Sequence, residues 1–238
     1  MKITIVGAGR AGGSFAVALA DVGHDVSVQH HDDLVIADAT DLVLLCVPDD
    51  ALAAIASSLP PSDHYVVAHC AGSRTLDVLA PHTRVGSLHP LVPLSTVEEG
   101  ARRLRGAVYC VAGDDVVRSL VDSLGGRSFS IDDDRRAAYH AAACVAANHV
   151  VALLGHVERL AEAAGLELSD FLSLTTAALA DVKEHGPAAA LTGPASRGDV
   201  VTIDAHLAAI PESERATYVA LADAAFSLAE RRATAPLH

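Results

Sequence analysis

The chain has no Trp, one Met and only 3% aromatic residues, so its core must be built from Ala, Val and Leu rather than from rings. It is also short of bases. Its 17 Lys and Arg against 30 Asp and Glu leave a formal charge of −13, which argues against nucleic acid or an anionic membrane surface as a partner. The few basic pairs, Arg102-Arg103, Arg135-Arg136 and Arg231-Arg232, read as solvated faces. Cysteine is sparse as well. Cys46, Cys70, Cys110 and Cys144 stand far apart without a C-x-x-C, which speaks against a disulfide frame and for a reducing compartment. No run approaches the length of a membrane span. Glycines occupy the place where a signal peptide would have its apolar centre. The expectation is a cytoplasmic protein with no membrane partner, and its 51% of hydrophobic residues suffices for a sizeable core.

What is present begins at once. Lys2-Ile-Thr-Ile-Val6 is an apolar, β-branched run, and Gly7-Ala-Gly9-Arg10-Ala11-Gly12-Gly13 follows directly, leading into an Ala-rich helical stretch. G-x-G-x-x-G between a strand and a helix is the dinucleotide-binding fingerprint. Gly7 permits the tight turn, Gly9 lets backbone approach a pyrophosphate, and Gly12 allows close helix–strand packing. The helix start then turns its free N–H groups and positive dipole end toward the phosphates.

Up to about residue 131 short strands alternate with helices. The expected strands are 2–6, 25–30, 42–47, 64–70, 83–88, 107–112 and 127–131, and the expected helices 11–22, 50–58, 75–80 and 114–124. This alternation implies a parallel sheet. Residues 30–41 are too few for a full strand–helix unit, so the Rossmann-like half is abridged there. From residue 132 the pattern is helical only, with segments at 134–164, 168–185, 199–209 and 212–233. The fold class is therefore α/β: a Rossmann-like domain over 1–131, then an all-α substrate and dimerisation domain over 132–238. The active site is expected between them, at the carboxyl ends of the strands.

The second strand ends His30-His31, with Asp32 and Asp33 slightly late for the ribose-binding acid of NAD enzymes. That ending, with Arg10 in the glycine turn, favours NADP; Asp32 as a ribose ligand would favour NAD. Val47-Pro48, at the end of the third strand, belongs to the nicotinamide side of the cleft, and Asp49 either contacts ligand or caps the next helix.

Three further constellations carry polar chemistry. On the long helix, His140, Cys144 and Asn148 share a face at about 100° per residue. The segment Thr192-Gly-Pro-Ala-Ser-Arg197-Gly-Asp199 offers one fixed cation, suited to a bidentate grip on a carboxylate, and Asp199 is a candidate N-cap. His69 and His89 end two strands at the cleft, as contacts for substrate or nicotinamide. Their spacing builds no convincing zinc site, so no metal is expected.

The GAGRAG turn, Val47-Pro-Asp-Asp50, His69–Ser73, His89-Pro90, Tyr139-His140 through Asn148, and Leu191-Thr-Gly-Pro through Arg197-Gly-Asp199 together carry a resemblance. The chain resembles predicted oxidoreductases that join a Rossmann-like domain to a helical domain of originally unknown function. That family is similar to ketopantoate reductase, pyrroline-5-carboxylate reductase, prephenate dehydrogenase and 6-phosphogluconate dehydrogenase. Ketopantoate reductase carries a Lys with Asn four and eight residues later; here those places hold His140, Cys144 and Asn148.

The resemblance implies an NADPH-dependent reductase of a small 2-oxo acid, ketopantoate first. His140 would supply the proton, since an imidazole titrates near neutral pH. Asn148 would position carbonyl or ribose. Arg197 would hold the substrate carboxylate, oriented by Asp199 or Thr192. A small imine or prephenate-like acid is the alternative substrate, and a non-catalytic nucleotide sensor the alternative class. The flat Ala-rich helices suggest a homodimer.

Overall fold

β-Branched and leucine-rich runs set the strands. The computed structural model describes residues 1–234, the side chains of 33, 233 and 234 apart. It divides into two units, Met1–Ala147 and a second from Asn148 onward. The division falls within the helical run, past the composition change at 131/132.

The first unit is a seven-stranded sheet in the order β2-β1-β3-β4-β5-β6-β7. The strands are β1 (Lys2–Val6), β2 (Asp25–Gln29), β3 (Leu42–Leu45), β4 (Val66–His69), β5 (Val85–Pro90), β6 (Val108–Gly113) and β7 (Arg127–Phe129). Helices α1 (Arg10–Asp21), α2 (Leu52–Ser58), α3 (Val97–Leu104), α4 (Val116–Ser123) and α5 (Arg136–Cys144) complete it. The central strands are buried on both faces, and their two-residue period sorts them. Ile3, Ile5, Leu42, Leu44, Val66 and Ala68 pack with Phe15 and Leu19 of α1 and Leu120 of α4. Val6, Val43, Leu45 and Val67 pack with Leu52 and Ile55 of α2 on the other face. Burying side chains of this size stabilises the unit by about 1.5–3 kcal/mol each.

Two features depart from the expected pattern. β6 runs antiparallel to β5, with His89 opposite Cys110, while β7 is parallel to β6. The connection between β5 and β6 returns to the end it left, so Leu91 N–H donates to Val108 O at 2.8 Å. The second is α3, a helix that periodicity did not suggest. Thr96 caps it, its hydroxyl accepting from Glu99 N at 3.2 Å, and a Thr three residues ahead of a Glu was the available signal. Expected helix 75–80 is a 3-10 turn, Leu76–Leu79. Between β2 and β3 the chain forms only the 3-10 turn His31–Asp33, as the shortness of that stretch implied.

The second unit is helical: α6 (Val150–Ala163), α7 (Leu172–His185), α8 (Pro187–Ala190), α9 (Gly193–Ser196), α10 (Val200–Ala209) and α11 (Glu212–Thr234). A π turn over Val145–His149 leads into α6. Among its described residues only His156, Ala161, Ala195 and Glu214 are buried. Glu214 accepts from Arg159 at 2.8 and 3.0 Å and pairs with His156 Nδ1 at 2.7 Å. These bonds, Arg159 first, hold its carboxyl down at about 2.

The helical path Asp133–Ala163 corrects one expectation. Its 31 residues include an 18-residue window of mean hydropathy 1.4, long and apolar enough by length and composition to cross a membrane, and none of that window is buried. Isolated His and Asn residues interrupt the run and hid it from a search for continuous apolar sequence. A single such helix carries no membrane assignment.

Candidate functional site

The glycine turn takes the form its sequence demands. Gly7 has φ +107°, and a Cβ there would lie 2.4 Å from the Cys46 carbonyl oxygen. A Cβ on Gly12 would come within 1.8 Å of Gly7 O, so the first turn of α1 closes on the strand end. Gly9 is different: a Cβ there meets nothing within 4 Å. It stands at the N-cap of α1, where the first backbone N–H groups are free for an anion. Arg10 beside it is exposed, Ala11 half-buried, and Val47 packs against Gly7, with Pro48 exposed next to it.

At the end of β2 the two cofactor readings meet in one cluster. His30 Nδ1 lies 3.0 Å and His31 Nε2 3.4 Å from opposite oxygens of Asp32, and the two rings lie 4.2 Å apart, tilted by 39°. The proposed phosphate-side His30 and the alternative ribose ligand Asp32 therefore hold each other. These three side chains are the one group of potential metal ligands among the described residues, and all are exposed.

A second polar group assembles at the carboxyl ends of β4 and β5 against α5, all within the first unit. His69 is fully enclosed; its Nδ1 accepts from Ala71 N at 3.2 Å and its Nε2 faces Thr75 O at 3.4 Å. Both ring nitrogens serve the loop after β4, so His69 shapes that loop rather than reaching outward. His89 is half-buried. Its Nδ1 shares a hydrogen bond with the Tyr139 hydroxyl at 2.6 Å, with the rings edge-on at 5.7 Å. The His140 ring lies 5.9 Å from that of His89, and Cys144 Sγ is 3.9 Å from His140 Nε2, as the spacing of four implied. Gly72 threads between the imidazoles: a Cβ on it would sit 2.7 Å from His140 Cδ2 and 2.8 Å from His89 Nε2.

Burial pushes both His69 and His89 down to about 4, so each is neutral at pH 7. Burial likewise pushes the Tyr139 phenol well up, so it keeps its proton. His89 Nε2 is the atom beside Gly72.

Arg136, one turn before His140, is 2% exposed. It bonds Asp133 at 3.2 Å and adds to the downward push on both histidines. Asp49 accepts from Ser73 at 2.5 Å, with Arg74 at 3.6 Å, so it braces the loop after β4. Sequence reasoning passed over Tyr139, Arg136 and Gly72 as site residues. A Tyr-His pair one turn after an Arg on the same helix face was the available signal.

A folded-state value near 4 against about 6.5 unfolded favours the neutral imidazole. The stability this brings is present above about pH 6.5 and is lost as pH falls toward about 4, on the order of 3 kcal/mol for one such His. Thermal melts from pH 7.5 to 4.5 should show a steep fall in Tm, flattened in His69→Gln.

In the second unit Asn148 falls in the π turn, where the even 100° step behind its shared face with His140 does not apply. Thr192 N-caps α9 without a side-chain bond, and Arg197 is exposed at the end of that helix. Asp199 caps α10, accepting from Thr202 N at 3.0 Å and Thr202 Oγ1 at 2.7 Å, and these bonds lower its pKa.

A mostly parallel sheet with a glycine turn after its first strand, followed by a helical region, defines a Rossmann-like protein of the helical C-terminal type. Residues 110–225 match the family described as "Domain of unknown function (DUF2520)", so the expected resemblance is found. No curated protein matches the chain in sequence. Among solved structures, protein TM1727 of Thermotoga maritima is 21% identical with a TM-score of 0.76, over 97% of this chain and 99% of that one. A reductive aminase of Aspergillus terreus, in complex with NADPH and ethyl levulinate, is 17% identical with a TM-score of 0.67, over 97% and 98%. A 1-pyrroline-5-carboxylate reductase of Streptococcus pyogenes is 18% identical with a TM-score of 0.61, over 97% and 98%. Likenesses at this identity establish the shared fold.

Proposed function

We propose that the protein is an NADPH-dependent reductase of a small carbonyl compound, with the 2-oxo acid ketopantoate as the first substrate to try. The observation that carries this reading is Gly9, open on every side at the start of α1, where backbone N–H groups meet a pyrophosphate. The fold likeness to proteins named for NADPH complexes supports it. NADPH, when bound, supplies the hydride. His140 delivers a proton to the oxygen that becomes the alkoxide, and neutral His89, held by Tyr139, offers its Nε2–H to the same developing charge. Gly72 sets the gap between the two rings. Asn148, Thr192, Arg197 and Asp199 are carried as substrate-side candidates, each to be tested by its own alanine variant.

Titration with NADPH and NADH, followed by nicotinamide fluorescence, tests the reading; the absence of Trp keeps the protein's own emission low. Micromolar NADPH binding with weaker NADH is expected. His140→Ala should then abolish turnover and keep NADPH affinity. Loss of cofactor binding in that variant would refute its role as proton donor, and failure to bind either nucleotide would end the reductase reading. A small imine is the second substrate class, favoured by the likeness to the reductive aminase and the pyrroline-carboxylate reductase. A turnover panel holding both classes decides between them.

Self-association is part of the same proposal. The second unit leaves Val151 71%, Leu174 68% and Val201 80% exposed. Such faces call for cover, and a second copy of the same flat helices offers it. Light scattering should give about twice the 24.4 kDa of one chain; a monomer at micromolar concentration would refute the dimer.

A further inference from the structure

The cysteines read from sequence as four isolated thiols are not all isolated. β3 and β4 run parallel with Leu45 opposite His69, and the next residue on each is a cysteine. Cys46 Sγ and Cys70 Sγ lie 3.8 Å apart, and Cys70 also faces Leu45 O at 3.8 Å. Neighbouring strands stand about 4.8 Å apart, inside the Cα range that a disulfide spans. The two sulfurs can therefore close on one another by small side-chain rotations.

Cys46 is also the residue behind the glycine turn. Its N–H donates to Val6 O at 2.8 Å, its carbonyl oxygen is what a Cβ on Gly7 would strike, and its Cβ lies 3.3 Å from the Cβ position of Gly12. Any shift of the Cys46 backbone that accompanies closure is carried to the turn through these contacts.

We propose that Cys46 and Cys70 form a reversible dithiol–disulfide pair, oxidised by hydroperoxides, whose closure weakens nucleotide binding at the glycine turn. The effect on nucleotide rests on the reductase reading; formation of the disulfide does not. Cys70 is the attacking sulfur: it is partly exposed, and the neighbouring Cys46 thiol holds its pKa below the usual thiol value. The same contact, with burial, pushes Cys46 up, so Cys46 stays protonated until it resolves the intermediate. The Cys70 thiolate attacks one oxygen of hydrogen peroxide and the O–O bond breaks, leaving a sulfenic acid and hydroxide. Hydroxide takes a proton to become water. Cys46 sulfur then attacks Cys70 sulfur, the S–O bond breaks, and the departing hydroxide leaves as water with the Cys46 proton. Two thiols and one peroxide give one disulfide and two waters, with two electrons passing from sulfur to oxygen.

The test treats the full chain with hydrogen peroxide, alkylates it, digests it without reductant and maps linked peptides by mass spectrometry. Thiol counts and NADPH titrations run in parallel. A Cys46–Cys70 linked peptide is expected, with two of the four thiols lost. NADPH affinity should fall by about tenfold or more and return with dithiothreitol. Cys70→Ser should give no link and keep its NADPH affinity under peroxide. Thiol loss without the linked peptide overturns the pair, whether or not the variant folds. A linked protein that binds NADPH unchanged, or a Cys70→Ser protein as peroxide-sensitive as the parent, overturns the coupling. If the reduced protein binds no NADPH, the reductase reading fails and the peptide map still decides the disulfide.

Discussion

Gly9→Val should abolish NADPH binding and leave the melting temperature unchanged. The two halves of that expectation have separate causes. Gly9 has φ −71° and ψ −171°, an extended conformation open to any residue, and its Cβ would meet no protein atom within 4 Å. The folded protein therefore tolerates the larger side chain. What it does not leave is room for a pyrophosphate against the backbone at the start of α1. An affinity loss of at least about a hundredfold is expected, worth roughly 2.7 kcal/mol of binding. Gly12→Ala is the informative contrast. Its Cβ would fall 1.8 Å from Gly7 O, so the helix must move away from the strand and stability falls together with binding. Differential scanning fluorimetry beside nicotinamide fluorescence separates the two. Unaltered NADPH affinity in Gly9→Val would place the nucleotide somewhere else.

Gly72→Ala should cut kcat by about a hundredfold or more while NADPH affinity stays within about threefold, because displacing reacting groups by about 1 Å costs on that scale. The new methyl would sit 2.7 Å from His140 and 2.8 Å from His89. The two rings are not equally free to move. His89 is tied to Tyr139 at 2.6 Å, and His140 has Cys144 at 3.9 Å. One imidazole must leave the shared gap, and the proposed proton donor and its neighbour would no longer face one substrate atom. Tyr139→Phe is the milder comparison, since it removes the hydrogen bond that holds the His89 ring and keeps the ring packing. Wild-type turnover in Gly72→Ala, on whichever substrate the panel yields, would remove both rings from the reacting group.

Both predictions draw on positions of different legibility. The glycine turn could be read directly from residues 2–13, because each requirement is local: an apolar strand, a glycine at positive φ, a helix start. The pairing of His140 with Cys144 was equally local, one helical turn. The His89–Tyr139 bond joins residues 50 apart in the chain, and nothing in either neighbourhood announces the other. Asp49 read as a cap or a ligand contact; in the fold it is a brace for Ser73 and Arg74.

The sequence by itself determined the strand–glycine–helix opening, the alternation that sorts the central strands between two faces, the abridged stretch after β2 and the helical second half. These follow from periods of 2 and 3.6 residues and from turn chemistry, all of which act within a few residues of one another. Only the tertiary structure decided that β6 reverses against β5, that His69 turns both nitrogens inward, that Asp32 is held by His30 and His31, and that Cys46 meets Cys70. Each of these depends on which strand lies beside which, or on how a loop folds back. That is settled by burying the whole apolar surface of the sheet at once, a sum over the entire unit that no local window contains.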